Sequence, residues 1–297
     1  MRKFLFVINP IAGGYDKAAC QREIEAWCKQ HQLEDRWMAT TGEDDARLLR
    51  QQLKQQAPDA VVACGGDGTV NLVARTLLGT STPMGIVPLG SANGLATDRS
   101  IPDNVGDALD VLLHGASLEV DGLLINEEHY AFHLADMGYN ARLVQEFESN
   151  TERGQSGYAR SFLRVARNRP LAKFDIKADG HQFSRRSIMA TFANARRYGT
   201  GAVVNPNGKL DDGRFELCLF LPWPRWYLIW ISVLFFIGQI DKSRYVKIVS
   251  CQKLQLNVDR PLPLQVDGEL VGEHTAVQVE VLPEKVRMLV PKAGHYQ

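Results

Sequence analysis

Residues 61–79, "VVACGGDGTVNLVARTLLG", decide how the chain folds. An apolar run over 61–64 ends against Gly65, Gly66, Asp67 and Gly68, and a helical pattern follows Thr69. A buried strand that stops on glycines and leads into a helix is the joint of an α/β unit. At such joints ligands bind beyond the strand ends, where helix N-termini turn unpaired N–H groups toward anions. Glycine lets the backbone approach a phosphate closely, and Asp67 offers oxygen to magnesium directly or through water. Asp and Gly are also the usual residues of a tight turn, so these four positions alone leave both readings open.

The same design recurs on either side. "GIVPLGSANGLATD" (85–98) is an apolar strand, then a loop with Gly90, Ser91, Asn93 and Gly94, then a short helical stretch. "INPIAGG" (8–14) closes the first apolar run with Asn9, Pro10, Gly13 and Gly14. Three strand ends rich in small polar residues can build one phosphate and ribose cradle. The fingerprints G-x-x-x-x-G-K-[ST] and G-x-G-x-x-G are absent, which disfavours a P-loop and a dinucleotide-type fold.

Short apolar runs alternate with helical patterns as far as about residue 122: "KFLFVIN", a helix from about Asp16, another from about Glu43, "DAVVAC", a helix after Thr69, "PMGIVPLG", and a helix from Asp103. The alternation indicates a parallel sheet with helices packed on it. Thr41 and Asp44 stand at capping-box spacing, with Ala46, Leu49 and Leu53 on one face. In "DNVGDALDVLLHG", Asp103 reads as the N-cap and Gly115 as the stop. From residue 123 the texture changes to "FDIKADGHQFS", "SIMATFANA", "RFELCLFL", "KLQLNV", "LPLQVDGELV" and "AVQVEVL". Short alternating strands joined by Asp-Gly and Asn-Gly turns indicate an antiparallel sheet or sandwich.

A chain of 297 residues, 45% hydrophobic and 23% charged, can bury a sizeable core and suggests two domains. Lys plus Arg and Asp plus Glu both number 34, so bulk charge gives no reason to expect a nucleic-acid partner. The N-terminal apolar stretch is short, runs into Asn9-Pro10 and reads as a first strand rather than a leader. Five scattered cysteines without a C-x-x-C pair read as buried thiols in a reducing compartment. Seven histidines include no pair at ligand spacing.

"NPIAGG", "GGDGTVNLV" and "PLGSANGLATD", in this order and spacing, resemble the diacylglycerol kinase catalytic family, especially the bacterial soluble lipid kinases, with sphingosine and ceramide kinases as relatives. The glycine-aspartate loop alone is shared with NAD kinases and phosphofructokinases. "VDG" at Asp121, "GYNARLV", "NARRYGTG", "NPNGKLDDGRFEL" and "QVDGE" extend the resemblance over nearly the whole chain.

The resemblance implies an α/β nucleotide domain over 1–122, completed by a C-terminal strand within 284–297 ("VRMLVPKAG"), and a larger β-sandwich domain over 123–283. It implies that Asn9, Pro10, Gly13, Gly65, Gly66, Asp67, Gly68, Thr69, Gly90, Ser91 and Asn93 line an ATP site, with Asp67 and Asp121 in a network holding the catalytic Mg2+. Asp267 is implied as the general base toward a lipid hydroxyl, with Glu269 beside it. Asp212, with the backbone carbonyls of Lys209 and Arg214, is implied to hold a structural Mg2+. On residues alone, "QVDGEL" and "LDDG" are equally Asp-Gly turns. Lys17 is a further candidate phosphate contact.

Three positions depart from the family pattern: Leu72 and Gly94 stand where an acidic residue is usual, and Ala195 where glycine is usual. In "FLPWPRWYLIWISVLFFIGQIDKSRYVK" (220–247), the apolar core over 226–237 is shorter than the roughly 20 residues that span a bilayer. Trp223, Trp226, Tyr227 and Trp230, flanked by Arg225, Lys242 and Arg244, suit either a buried helix or a surface touching a lipid interface. The reading is an ATP- and Mg2+-dependent lipid kinase, cytoplasmic with transient contact to the inner membrane face, and a homodimer is compatible with the resemblance. A kinase of a soluble alcohol or nucleotide, and an inactive lipid- or nucleotide-binding protein, are the alternatives.

Overall fold

The structure is a computed structural model that describes residues 2–10, 16–142, 144, 171–224 and 226–292. Its contacts divide the chain into two units, one of residues 1–122, 198–201 and 283–297, the other of residues 123–197 and 202–282.

The first unit is built on parallel strands. β1 (Lys3–Ile8) pairs with β2 (Glu34–Ala39) on one side and β3 (Ala60–Gly65) on the other, and β3 pairs with β4 (Met84–Pro88). The tail of the last strand, β14 (Glu269–Val290), adds in parallel beside β4 through Met288 and Met84. Parallel strands need crossovers, supplied by α1 (Lys17–Gln30), α2 (Asp45–Gln56) and α3 (Asp67–Leu77); α4 (Gly94–Asp98) and α5 (Val105–His114) follow β4. Residues 4–8 and all of β3 and β4 are buried, so they read as unbroken apolar runs.

Local chemistry corrects several sequence expectations. α1 starts as expected, with the Asp16 carboxylate accepting the Ala19 N–H at 3.0 Å. Thr41 and Asp44 form no capping box; the Asp45 carboxylate accepts from the Thr41 N–H and hydroxyl and from the Gly42 N–H. Asp44 is the N-cap residue, left-handed at φ 55°, and its carboxylate turns to Arg47 instead. The cap of α5 is Asn104 rather than Asp103, its side-chain oxygen accepting the Asp107 N–H at 3.1 Å. α3 begins at Asp67, ahead of the expected Thr69, so the aspartate is the first helical residue.

The second unit is antiparallel, and the chain enters it within β5 (Ala116–Ile125). β12 (Val246–Cys251), β11 (Phe215–Phe220), β10 (Met189–Ala193), β7 (Leu134–Gly138), β13 (Lys253–Val266) and the first part of β14 follow one another across the sheet. β6 (His129–Ala131) pairs with β5, and the hairpin of β8 (Ala172–Ala178) and β9 (His181–Ser187) pairs through β8 with β13. The core collects Phe174, Phe192, Phe215, Leu217, Leu254 and Leu264. Strands here are longer than the sequence suggested: "KLQLNV" and "LPLQV" belong to one strand, because a bulge between Asn257 and Leu262 absorbs the irregular stretch around Pro261. The apolar segment after β11 forms one helix, α6 (Tyr227–Phe236).

Candidate functional site

In the first unit the structure brings three strand ends together. The Asn9 N–H at the end of β1 donates to the Cys64 carbonyl of β3 at 3.4 Å. The Leu89 N–H beyond β4 donates to the Gly65 carbonyl at 3.0 Å. The glycines then make the loops touch: a Cβ on Gly90 would lie 2.4 Å from the Gly66 Cα, and one on Gly66 would lie 3.1 Å from the Gly90 Cα. Thr69 is buried over Gly65, where an added Cβ would meet its Oγ1 at 2.3 Å. Asn93 closes its own loop, accepting the Gly90 N–H at 2.8 Å and donating to the Gly90 carbonyl at 3.0 Å. Only small residues permit this packing of backbone on backbone.

Asp67 bridges two of the loops, with Oδ1 accepting the Leu95 N–H at the start of α4 at 3.4 Å. Gly68 and Ser91 are exposed, as is Pro10, while Gly13 and Gly14 lie outside the described residues. The Lys17 ammonium reaches the Leu89 carbonyl at 3.4 Å, so the first turn of α1 joins the cluster. Burial lowers the pKa of Lys17, opposed by Cys20 and Cys64. Leu72 is buried on α3, and Gly94 is the buried first residue of α4.

Asp121, fully buried on β5, has Oδ1 2.7 Å from the Lys285 ammonium on β14. The basic partner was not anticipated, being separated from Asp121 by most of the chain. Among the described residues, no three His, Cys, Asp or Glu side chains gather as metal ligands.

In the second unit Asp267 sits in the turn between β13 and β14, with φ 46° there and φ 90° at Gly268. Two successive positive φ angles are what Asp-Gly hairpin turns provide. The Asp267 carboxylate accepts three backbone N–H groups: Phe132 at 2.9 Å on Oδ2, His133 at 3.0 Å and Leu134 at 3.1 Å on Oδ1. Its own N–H returns to the Leu134 carbonyl at 3.0 Å. Glu269 is exposed at the head of β14.

A buried polar network that sequence reading missed supports this turn. Asp136 on β7 accepts from the Thr191 hydroxyl at 2.5 Å, from Gln265 Nε2 at 2.6 Å and from Asn140 Nδ2 at 2.6 Å. Gln265 passes the constraint on, its Oε1 accepting the Gly268 N–H at 2.7 Å. Asn194 Nδ2 holds the Phe132 carbonyl at 2.9 Å, and Ala195 donates its N–H to the His133 carbonyl at 3.0 Å. The one available signal was a lone aspartate inside the apolar run "FHLADMG".

Asp212, the third candidate centre, lies in an exposed loop where Oδ1 accepts the Arg214 N–H at 3.1 Å. Arg214 is fixed by Ser250 and Asp179, and Lys209 is exposed. This is an Asp-Gly turn entering β11. A carboxylate beside backbone carbonyls is also a donor set that suits a hard cation.

Comparison with known proteins gives the lineage. Residues 3–125 match the family described as diacylglycerol kinase catalytic domain, and residues 134–290 match the YegS C-terminal NAD kinase beta sandwich-like domain. The chain belongs to the diacylglycerol kinase catalytic family. A protein named "Probable lipid kinase YegS-like" from Yersinia enterocolitica is 27% identical over 260 residues, spanning 85% of this chain and 86% of that one. The protein of the same name from Yersinia pestis is 27% identical over 259 residues, covering 83% and 84%. Among solved structures, a diacylglycerol kinase from Bacillus anthracis str. Sterne superposes with a TM-score of 0.73 at 17% identity, over 98% of this chain and 97% of that one. An NAD kinase from Archaeoglobus fulgidus in complex with ATP gives 0.53 at 12%, over 98% and 94%. At these identities the structures speak for the fold, an α/β domain with parallel strands followed by a large antiparallel β-sandwich.

Proposed function

We propose that this protein is a lipid kinase that transfers the γ-phosphoryl group of ATP to a lipid hydroxyl with Mg2+. The observation that carries the kinase reading is the approach of Gly66 to Gly90, beside the N-termini of α3 and α4. Backbone N–H groups at two helix starts, with side chains kept away by glycine, suit a polyphosphate. Family membership and the names of the Yersinia relatives support a lipid as the acceptor.

Phosphoryl transfer asks for positioning and for charge neutralisation more than for covalent chemistry. Asn9, Pro10, Gly13, Gly65, Gly66, Gly68, Thr69, Gly90, Ser91 and Asn93 are assigned to the nucleotide, with Lys17 as a further cation toward phosphate. Asp67 is assigned as the carboxylate that holds Mg2+, whose charge would offset that developing on the γ-phosphoryl oxygens. Asp121 joins that network with its charge already met by Lys285. Asp267 is assigned as the base: it takes the proton of the acceptor hydroxyl, the oxygen bonds to the γ-phosphorus, and ADP leaves with the electron pair of the broken P–O bond. Glu269 is assigned beside it. Asp212, with the carbonyls of Lys209 and Arg214, is assigned a structural Mg2+. We place the protein at the cytoplasmic face of the membrane; among the described residues no helix is long and apolar enough to cross one.

The test supplies ATP and Mg2+ with diacylglycerol in mixed micelles, with glycerol and with NAD, and compares wild type with Asp267→Asn. Transfer to the lipid alone, reduced about 100-fold or more in the variant, is expected from a general base. Transfer to NAD or glycerol instead would establish the soluble-acceptor alternative. ATP binding without transfer to any acceptor would make the protein a binding module.

A further inference from the structure

The large apolar side chains exposed among the described residues all fall on one short segment: Trp226, Ile229, Trp230, Val233, Phe236 and Ile237. Their spacing of three and four places them along one face of α6 and its flanks. The other face is firmly seated. Ile231 and Leu234 are buried, the Phe235 ring stacks on Phe220 at 5.6 Å, and Tyr227 packs edge-on against Tyr245 at 4.7 Å. The helix is thus held rigidly while its apolar side faces outward, with Trp226 71% and Ile229 78% exposed. An apolar patch gathered in this way marks an interaction surface.

From this we infer that α6 is a monotopic membrane-docking helix, inserting its exposed face into the interfacial layer of an anionic bilayer. This deepens the lipid-kinase reading and rests on it for the substrate's location. Ten residues rise about 15 Å, half of the roughly 30 Å hydrocarbon core, so the helix lies in the interface and does not span it. Residues 226–240 contain no charged side chain. Charge resumes immediately afterwards with Lys242, Arg244 and Lys247 against the single acid Asp241. Arg244 lies over the Tyr245 ring at 4.9 Å, and Lys247 over Phe183 at 4.3 Å. An apolar wedge edged by tryptophan and followed by cations fits the acyl boundary and the headgroups of an anionic leaflet.

An open groove of about 490 Å³ runs along the same helix, lined by Leu228, Ile229, Ser232, Val233, Phe236 and Ile237. Ser232, its one polar side chain, donates its hydroxyl to the Leu228 carbonyl at 2.8 Å, so the lining asks for no polar ligand. A hydrocarbon chain matches such a lining better than a protein surface, which brings polar groups with it.

The test is co-sedimentation of the full chain with phosphatidylcholine vesicles, with and without phosphatidylglycerol, in wild type and in the Ile229→Glu/Phe236→Glu double variant. Both substituted positions are exposed, so the fold stays intact and circular dichroism checks it. Wild type binds, more tightly with anionic lipid and less tightly at high salt, and its tryptophan emission shifts to the blue. The double variant binds at least about tenfold more weakly. Equal binding by both proteins, or no binding by wild type to either vesicle, overturns the inference. So does a wild-type dimer that the double variant splits while vesicle binding is unchanged, which would make the face a homodimer contact. Two controls separate this from the kinase reading: Asp267→Asn, checked for folding by circular dichroism, keeps vesicle binding, and the double variant keeps the wild-type affinity for ATP.

Discussion

Gly66 and Gly90 lie so close that a methyl group on Gly90 would stand 2.4 Å from the Gly66 Cα and 2.8 Å from Asn93 Oδ1. Neither backbone can yield without moving the strand end or helix start to which it belongs. Gly90→Ala is therefore expected to cost about 1–3 kcal/mol of stability, as overpacking does, and to weaken ATP binding at least about tenfold by spreading the loops. Urea unfolding and ATP titration by calorimetry read the two effects. Wild-type ATP affinity in this variant would show that the loops hold no phosphate.

Gln265 is expected to act as a positioning residue, through Asp136 on one side and the Gly268 N–H on the other. Gln265→Leu takes one of its donors from the buried Asp136 carboxylate, which keeps Thr191 and Asn140, at a cost of about 1 kcal/mol, and hands the exposed Gly268 N–H to water. Activity should fall in kcat more than in KM, because the Asp267 turn loses its orientation while the lipid surface is untouched. An unchanged kcat in a folded variant would detach the network from catalysis. Asp267→Asn needs the same care: an amide in place of the carboxylate turns its NH2 toward N–H donors, so unfolding must be measured alongside activity.

All five cysteines are free and buried. Burial pushes the Cys28 and Cys251 thiols up to about 12 and raises Cys20, Cys64 and Cys218 as well. Because thiolate is the reactive form, the native protein should not react with a thiol reagent at pH 8 on the timescale in which the urea-unfolded chain releases all five equivalents. Rapid labelling of the native protein would contradict the burial.

The pKa of Asp179 is lowered: burial alone would raise it, but the N–H groups of Lys253 and Gln252 and the Arg214 guanidinium outweigh that. Such a group stabilises the fold fully above its unfolded pKa, about 3.9 for Asp, and the stabilisation is lost as pH falls through the lower folded value. The gap in urea midpoint between wild type and Asp179→Asn should therefore narrow from pH 7 to pH 3. An equal gap at both pH values would show that the side chain acts through packing.

The sequence disclosed what is local and hid what is distant. β1, β3 and β4 are buried on both faces and announce themselves as apolar runs; β2, "EDRWMA", pairs only with β1 in the parallel sheet and has a single buried residue, so it carries no such signal. The capping errors at Thr41 and Asp103 arose because neighbouring residues can each supply the capping oxygen, and backbone angles choose among them. The glycine loops were legible because each lies within a few residues of its strand. Their mutual contact, the Lys285 partner of Asp121 and the Asp136–Gln265–Gly268 chain join positions far apart in sequence, where no spacing rule applies. The exposure of α6 was equally hidden, since a helix apolar on every side reads the same whether buried or presented outward.

The cradle around Asp67 is assigned to deliver ATP's terminal phosphate to a lipid. Incorporation of label from γ-labelled ATP into solvent-extractable lipid measures this directly. Labelled lipid is expected with wild type and Mg2+, background with a chelator, and a fall of about 100-fold or more in Asp67→Asn. Absence of label in every lipid supplied, or a wild-type rate in Asp67→Asn, would contradict it.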